Sequence, residues 1–229
     1  MSGLEYELIF GLSIYHVMNH ILSRCGMNLS ENRWFNQLVC MHNIVLSVFS
    51  AYIFVSGYKV MSRMTWMDVY GESSDILMRT GEFSRLVYYF YWSKYYEFVD
   101  TWINLLKRRD PGFLQVYHHT GAVIVMGMGA HYRVHSIWLF VMWNSFVHTI
   151  MYLYYALATM KVRMKWKFLL TGLQITQLVT ALVGAWYYVL CTKMDRHQLY
   201  ACICNLVYVK GLVFLFSDFY SRTYRKKIE

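Results

Sequence analysis

The sequence predicts an all-α, polytopic membrane protein with seven transmembrane helices, organised as one domain over residues 1–229. Three observations carry that prediction. Hydrophobic residues make up 57% of the chain and charged residues 15%, against about 25% charged in an average soluble domain. Several stretches reach the roughly 20 apolar residues a spanning helix requires, with almost no charge. A single proline interrupts the chain, and no linker, repeat or low-complexity segment divides it. An aromatic content of 19% excludes disorder. Five cysteines in 229 residues are too sparse for a disulfide scaffold. The net charge of +9 does not imply nucleic acid, because basic residues of membrane proteins collect in cytosolic loops.

The first predicted span, Tyr6 to Ser23, is the weakest, since it holds Glu7, His16, Asn19 and His20. Its acidic start, with no basic segment before it, argues against a signal peptide. The second, Trp34 to Tyr58, carries no Asp, Glu, Lys or Arg. The third, Leu86 to Leu106, is aromatic but contains Lys94, Glu97 and Asp100. The fourth, Phe113 to Ala130, is uncharged and short. The fifth and sixth, Ser136 to Met160 and Phe168 to Thr192, are free of these charges, and the seventh, His197 to Ser217, contains only Lys210. The connections are expected to be short.

Seven spans place the termini on opposite sides. With a cytosolic C-terminus, thirteen Lys and Arg fall in cytosolic segments (the groups around Arg24, Lys107, Lys161 and Arg222) and six in lumenal ones. The positive-inside rule therefore favours that orientation. The chain ends Lys226-Lys227-Ile228-Glu229. Lysines at the third and fourth positions from the end resemble a dilysine retrieval signal for the endoplasmic reticulum, although a basic tail after a last span also serves as a topology signal.

Ionisable residues inside spans are costly and point to function. Span three has Lys94, Glu97, Asp100 and Thr101; span four opens with Gln115, His118 and His119; span five has Asn144, His148, Tyr152 and Tyr155; span six has Thr171, Gln174 and Gln177. Their spacings of three, four, seven and eight put each group largely on one helical face. At 1.5 Å per residue, His118 lies about 8 Å from the cytosolic end of its span, Gln174 about 12 Å, Lys210 about 15 Å and His148 about 16 Å. Polar groups from five spans thus share one cytosolic layer. Plainer readings exist: Lys94 and Glu97 neutralising each other, and Gln174 and Gln177 as interhelical glue.

The ordered motifs Lys94-x-x-Glu97-x-x-Asp100-Thr101, Gln115-x-x-His118-His119, Asn144 through Tyr155, and Thr171-Gly172-Leu173-Gln174-Ile175-Thr176-Gln177 resemble those of the very-long-chain fatty acid elongases, the ELO family of 3-ketoacyl-CoA synthases. The resemblance runs from about Phe83 to Tyr224. It implies seven helices, six of them around an acyl-chain tunnel. It implies condensation of a long-chain acyl-CoA with malonyl-CoA to 3-ketoacyl-CoA, CO2 and CoA, without a cofactor or metal. It further implies residence in the endoplasmic reticulum membrane, reductase and dehydratase enzymes as partners, and homo-oligomers. One departure stands out: the family's histidine box usually reads H-x-x-H-H, and Gln115 occupies its first position. The Q-x-x-H-H form resembles elongases of polyunsaturated substrates.

On this resemblance His118 is the expected acyl acceptor, since imidazole is a competent nucleophile. His119 is expected to orient it or act as base, and His148 to assist malonyl decarboxylation. Gln115 lacks a titratable group and would orient an imidazole or a thioester carbonyl. Asn144, Gln174 and Gln177 are candidate donors to thioester or enolate oxygens. Lys94, Glu97, Asp100, Tyr152, Tyr155 and Thr171 complete the substrate site. The rival is a membrane di-iron desaturase or hydroxylase, which also uses histidine boxes; His16, His20, His131 and His135 keep it in view. His131 and His135, however, fall on the lumenal side, roughly 20 Å from His118. A lipid transporter or seven-helix receptor is a third class, weakened by the layered histidines.

Overall fold

The computed structural model describes residues 3–71, 75–162 and 164–224. Its regular structure is entirely helical. In chain order the helices are α1 (Gly3–Arg24), α2 (Arg33–Met61), α3 (Trp66–Tyr70), α4 (Asp75–Arg79), α5 (Gly81–Tyr96), α6 (Phe98–Leu106), α7 (Gly112–His131), α8 (Ile137–Thr159), α9 (Lys167–Cys191) and α10 (Arg196–Tyr224). Lys226 and Lys227, together with Glu72, Arg163 and Arg225, lie outside the described residues.

Each predicted span falls on a long helix or, for the third, on the pair α5 and α6. Four of them, α2, α8, α9 and α10, are long and apolar enough to cross a membrane. The others miss that standard for legible reasons. α1 carries Glu5, Glu7, His16 and His20, α7 carries Gln115, His118 and His119, and the third stretch breaks at Glu97. The outer faces are apolar: Trp34, Leu190 and Phe214 are each more than 70% exposed, as side chains facing lipid are.

Local chemistry sets the helix ends. Asn32 caps α2, its Oδ1 accepting from the Phe35 amide at 2.9 Å, one of the donors a helix N-terminus leaves free. α6, α7 and α8 end alike. Arg108, Arg133 and Lys161 take φ values of 56°, 51° and 64° just past each helix. After α6 and α8, amides reach back in paired bonds: Arg108 to Leu105 and Arg109 to Asn104, then Lys161 to Ala158 and Val162 to Leu157. This is the Schellman closure, usually made with glycine. Here a cation occupies the left-handed position, where it also complements the negative end of the helix dipole.

The connection between α2 and α5 is not the short loop expected. It holds α3 and α4, and α3 is built by a reciprocal cap. The Thr65 hydroxyl and amide both donate to Asp68 Oδ2 at 2.8 Å, and these bonds hold the Asp68 carboxyl below its ordinary pKa. α3 closes one end of the bundle through its carbonyls. The buried Tyr188 hydroxyl of α9 donates to Val69 O at 2.7 Å and accepts from Trp138 Nε1 of α8 at 2.8 Å. Tyr188→Phe strands both a buried carbonyl and an indole N–H, a loss of about 1–3 kcal/mol. Thermal unfolding in detergent should register this as a lower midpoint, whereas Tyr187→Phe, whose exposed hydroxyl makes a 3.3 Å bond to Tyr70 O, should change it little.

Candidate active site

The site begins where α5 stops. The Glu97 amide still bonds Ser93 O at i−4, but the Asp100 amide turns to Glu97 O at i−3. The helix tightens there, as a short 3₁₀ turn does. The pattern Lys-x-x-Glu-x-x-Asp therefore does not run down one straight face. Lys94 and Glu97, 3% and 2% exposed, form an ion pair with Nζ 2.7 Å from Oε1. Lys94 Nζ also donates to Asn144 Oδ1 of α8 at 2.9 Å and lies 4.0 Å from the Phe90 ring centroid. Glu97 Oε1 is in turn 3.6 Å from His148 Nδ1. The mutual-neutralisation reading of Lys94 and Glu97 is thus met, and both groups reach α8 as well.

Asp100, on α6, faces a different set. Its Oδ2 accepts from the Tyr152 hydroxyl at 2.6 Å, and its Oδ1 is 2.8 Å from His42 Nε2 on α2. The His148 and Tyr152 rings stand edge to face, centroids 5.3 Å apart. Beside them, Thr101 Oγ1 lies 3.0 Å from the hydroxyl of the buried Tyr15 of α1, whose ring stacks on Phe98. Gln115 completes this corner. It donates to Thr101 Oγ1 at 3.2 Å and accepts from Asn104 Nδ2 at 2.9 Å. The residue that departs from the histidine box thus ties α7 to α6.

His118 and His119 project from α7 with ring centroids 5.2 Å apart. His119 is buried against Tyr15 and Phe98. His118 lines a cavity of about 50 Å³ between α5, α7, α8, α9 and α10, room for a few water-sized molecules. Lys94, Asn144, Gln177, Asn205 and Tyr208 supply its polar lining, and residues such as Ala122, Met126, Leu178 and Leu212 its apolar lining. Glu97 Oε2, His148 Nδ1 and Gln177 Oε1 are buried with no hydrogen-bond partner in the protein.

The position of His118 follows from a reciprocal close approach of α7 and α10. The Tyr208 ring covers Gly121, and the Tyr117 ring covers Gly211. A Cβ at either glycine would occupy space the ring fills, and small residues are what let helices in a membrane come this close. The same tyrosines hydrogen-bond across the interface: Tyr208 OH to His118 O at 2.8 Å, and Tyr117 OH to Tyr208 O at 3.2 Å.

Not every expected residue reaches this centre. Tyr155 is 40% exposed, outside Tyr152. Thr171 bonds near Lys167 O and Tyr224 OH at 3.4 Å, by the start of α9. Gln174 donates to Met151 Sδ at 3.2 Å, which fits interhelical glue. Lys210 is exposed on the outer face of α10, and that helix contributes Asn205 and Tyr208 to the polar layer instead. His16 faces Thr120 and His20 faces Arg24. Among the described residues no three His, Cys, Asp or Glu side chains are disposed to hold a metal ion, so the histidines outside α7 and α8 lend nothing to the di-iron reading.

Fold and site define an all-helical membrane protein with a buried histidine and carboxylate centre opening on a narrow cavity. The sequence profile of the ELO (GNS1/SUR4) family matches residues 5–229, and the chain belongs to that family. It is 28% identical over 230 residues to fatty acid elongase sre1 of Dictyostelium discoideum, covering 96% of this chain and 85% of that protein. It is 28% identical over 244 residues to very long chain fatty acid elongase 2 of Rattus norvegicus, covering 97% and 81%. To very long chain fatty acid elongase 5 of Xenopus tropicalis it is 31% identical over 162 residues, covering 62% and 50%.

The ion pair yields a stability test. Lys94→Met leaves the Glu97 carboxylate buried without its cation, a loss of about 3–5 kcal/mol. The double variant Lys94→Met, Glu97→Gln removes both charges and should recover more than half of that in detergent unfolding.

Proposed function

We propose that the chain carries out the condensing step of fatty acid elongation. A long-chain acyl-CoA and malonyl-CoA give 3-ketoacyl-CoA, CO2 and CoA. Membership of the ELO family supports a role in fatty acid elongation. The observation that carries the finer reading is the convergence of His118, Lys94, Asn144 and Gln177 on one cavity, with His119 and His148 beside it.

His118 is the acyl acceptor. Its imidazole nitrogen attacks the thioester carbonyl, the C–S bond breaks, and the thiolate leaves as CoA with the imidazole proton. Malonyl-CoA then loses CO2, leaving its two bonding electrons on Cα as an enolate. That carbon attacks the acyl carbonyl, the C–N bond to His118 breaks, and the imidazole regains a proton from solvent. The unpartnered Gln177 Oε1 marks a side chain whose amide is free to turn toward substrate. Asn144, held by Lys94, presents its remaining amide donors to an enolate or thioester oxygen. His148 supports decarboxylation, and burial keeps water from the acyl-imidazole. Gln115 acts by bracing α6 against α7.

On this reading all seven long rods cross the membrane, counting α5 with α6, and the acyl chain enters by widening the narrow cavity into a tunnel. The site opens to the cytosol, beside the basic segments at Lys107–Arg109 and Lys161–Lys167, which suit CoA phosphates. The protein works in the endoplasmic reticulum membrane, as the family resemblance implies. There a reductase and a dehydratase consume the 3-keto product, since a 3-ketone must be reduced and dehydrated before another cycle. The Gln115 form of the box, which resembles that of elongases of polyunsaturated substrates, supports polyunsaturated chains among its substrates.

Acyl-CoA alone should release about one equivalent of CoA before malonyl-CoA is added, the burst expected of an acyl-enzyme. His118→Ala should abolish the burst. Gln115→Ala should slow it and leave it detectable. Active enzyme that releases no CoA until malonyl-CoA arrives would remove the covalent step.

A further inference from the structure

Two buried histidines, His42 and His135, stand outside every role assigned above, and His42 is the one bonded to a residue of the site. His42 lies on α2 and is 7% exposed. Both of its ring nitrogens have partners: Nε2 is 2.8 Å from Asp100 Oδ1, and Nδ1 is 3.3 Å from the Tyr96 hydroxyl. A neutral imidazole that donates to the carboxylate at Nε2 accepts from the phenol at Nδ1. Asp100 carries the contact onward, accepting from Tyr152 at 2.6 Å on its other oxygen. Tyr152 then sets its ring against His148 at an interplanar angle of 83°. His42 also meets the Tyr152 ring directly, with centroids 6.5 Å apart and an interplanar angle of 88°.

The set therefore runs from α2 through α6 to α8 and ends on His148. Its counterpart is the pair Lys94 and Glu97, which meets His148 at Nδ1. His148 is thus held on one side by a carboxylate near its nitrogen and on the other by a tyrosine that a second carboxylate fixes. The neighbouring polar residue of α2, Asn43, donates to Val39 O of its own helix at 2.8 Å. Through this cluster α2 reaches the centre with His42.

We propose that His42 is a positioning residue for His148, acting through Asp100 and Tyr152, and that it sets turnover in the condensation. The proposal rests on the reading of His148 given above. His42 touches no reacting atom in this arrangement. It fixes the carboxylate that fixes the phenol that packs on the imidazole. Misplacing a reacting group by about an ångström can cost on the order of 100-fold in rate.

The test compares His42→Ala with His42→Gln in purified, detergent-solubilised protein. Glutamine keeps an N–H donor in reach of Asp100 and removes the ring. His42→Ala should lower kcat about 10- to 100-fold, with KM for malonyl-CoA changed less than about twofold, and His42→Gln should restore most of the loss. His42→Ala added to Asp100→Asn should cost little more than Asp100→Asn alone, as expected of residues acting in one chain. Carbethoxylation of His148, followed by peptide mass spectrometry, reads its exposure without any substrate. It should be faster in His42→Ala than in wild type and return toward wild type in His42→Gln. Wild-type turnover in a folded His42→Ala protein would overturn the proposal. So would equal losses in the two variants, or an unchanged rate of His148 modification. Wild-type protein that releases no CO2 from malonyl-CoA would instead remove the condensing reading, and the modification rates would still decide whether His42 positions His148.

Discussion

The arrangement depends on a buried ion pair at a break in a helix. Taking Lys94 and Glu97 out of water costs several kcal/mol for each charge, and their attraction offsets this only when further hydrogen bonds complete both groups. Lys94 has Asn144 and the Phe90 face, and Glu97 has the flank of His148. Phe90 is on α5 itself, but Asn144 and His148 come from α8, so the pair gains these contacts only when α8 is seated against α5. The tightened turn at Glu97 then aims the next carboxylate, Asp100, toward Tyr152 and α2. Two acids three residues apart serve opposite flanks of one imidazole because the backbone between them changes its pitch.

The polar layer divides into groups that hold and groups that wait. Asp100, Thr101, Gln115, Tyr15 and His42 are bonded to one another or to neighbours, and together they join α1, α2, α6, α7 and α8. Glu97 Oε2, His148 Nδ1 and Gln177 Oε1 are buried and have no protein partner. A buried polar atom without a partner lowers stability, by about 1–3 kcal/mol in protein mutational data. Asn19 Oδ1, Trp102 Nε1 and Ser145 Oγ are buried and unpartnered too, but of all these side chains Gln177 alone lines the cavity, and its free amide oxygen is the one placed to meet a ligand there.

Much of this was legible from spacing. The i, i+3, i+4 pattern of Gln115, His118 and His119, and the i, i+4, i+8 pattern of Asn144, His148 and Tyr152, put each group on one helical face, and helical rise brings polar groups of α5 to α10 to one layer. Other features were not legible. His42 does not stand out by charge, because its span holds no Asp, Glu, Lys or Arg; an intramembrane histidine is itself the available signal. The break at Glu97 has no proline or glycine to announce it, and the regular three-residue spacing of Lys94, Glu97 and Asp100 reads as a continuous helix. Lys210 stood at a depth matching the layer, but depth does not give rotation about the axis, and it faces outward while Asn205 and Tyr208 face inward. The pairing of Tyr208 with Gly121 is a relation between two helices, which one helix's periodicity cannot carry.

Gln115 shows how a departure from a motif reads once its partners are known. Judged by type, glutamine in a histidine box is a lost titratable group. Judged by contact, it is one donor and one acceptor spent on Thr101 and Asn104 of a single neighbouring helix. Both of those residues lie after the break at Glu97, and Thr101 is also held by Tyr15. The glutamine thus fixes the distance between α6, which carries Asp100, and α7, which carries His118 and His119. An amide can donate and accept at once without regard to pH, whereas an imidazole does so only in its neutral form. At a position that sets the spacing between two helices, that constancy keeps both hydrogen bonds, and so the placement of α7 against α6, independent of pH.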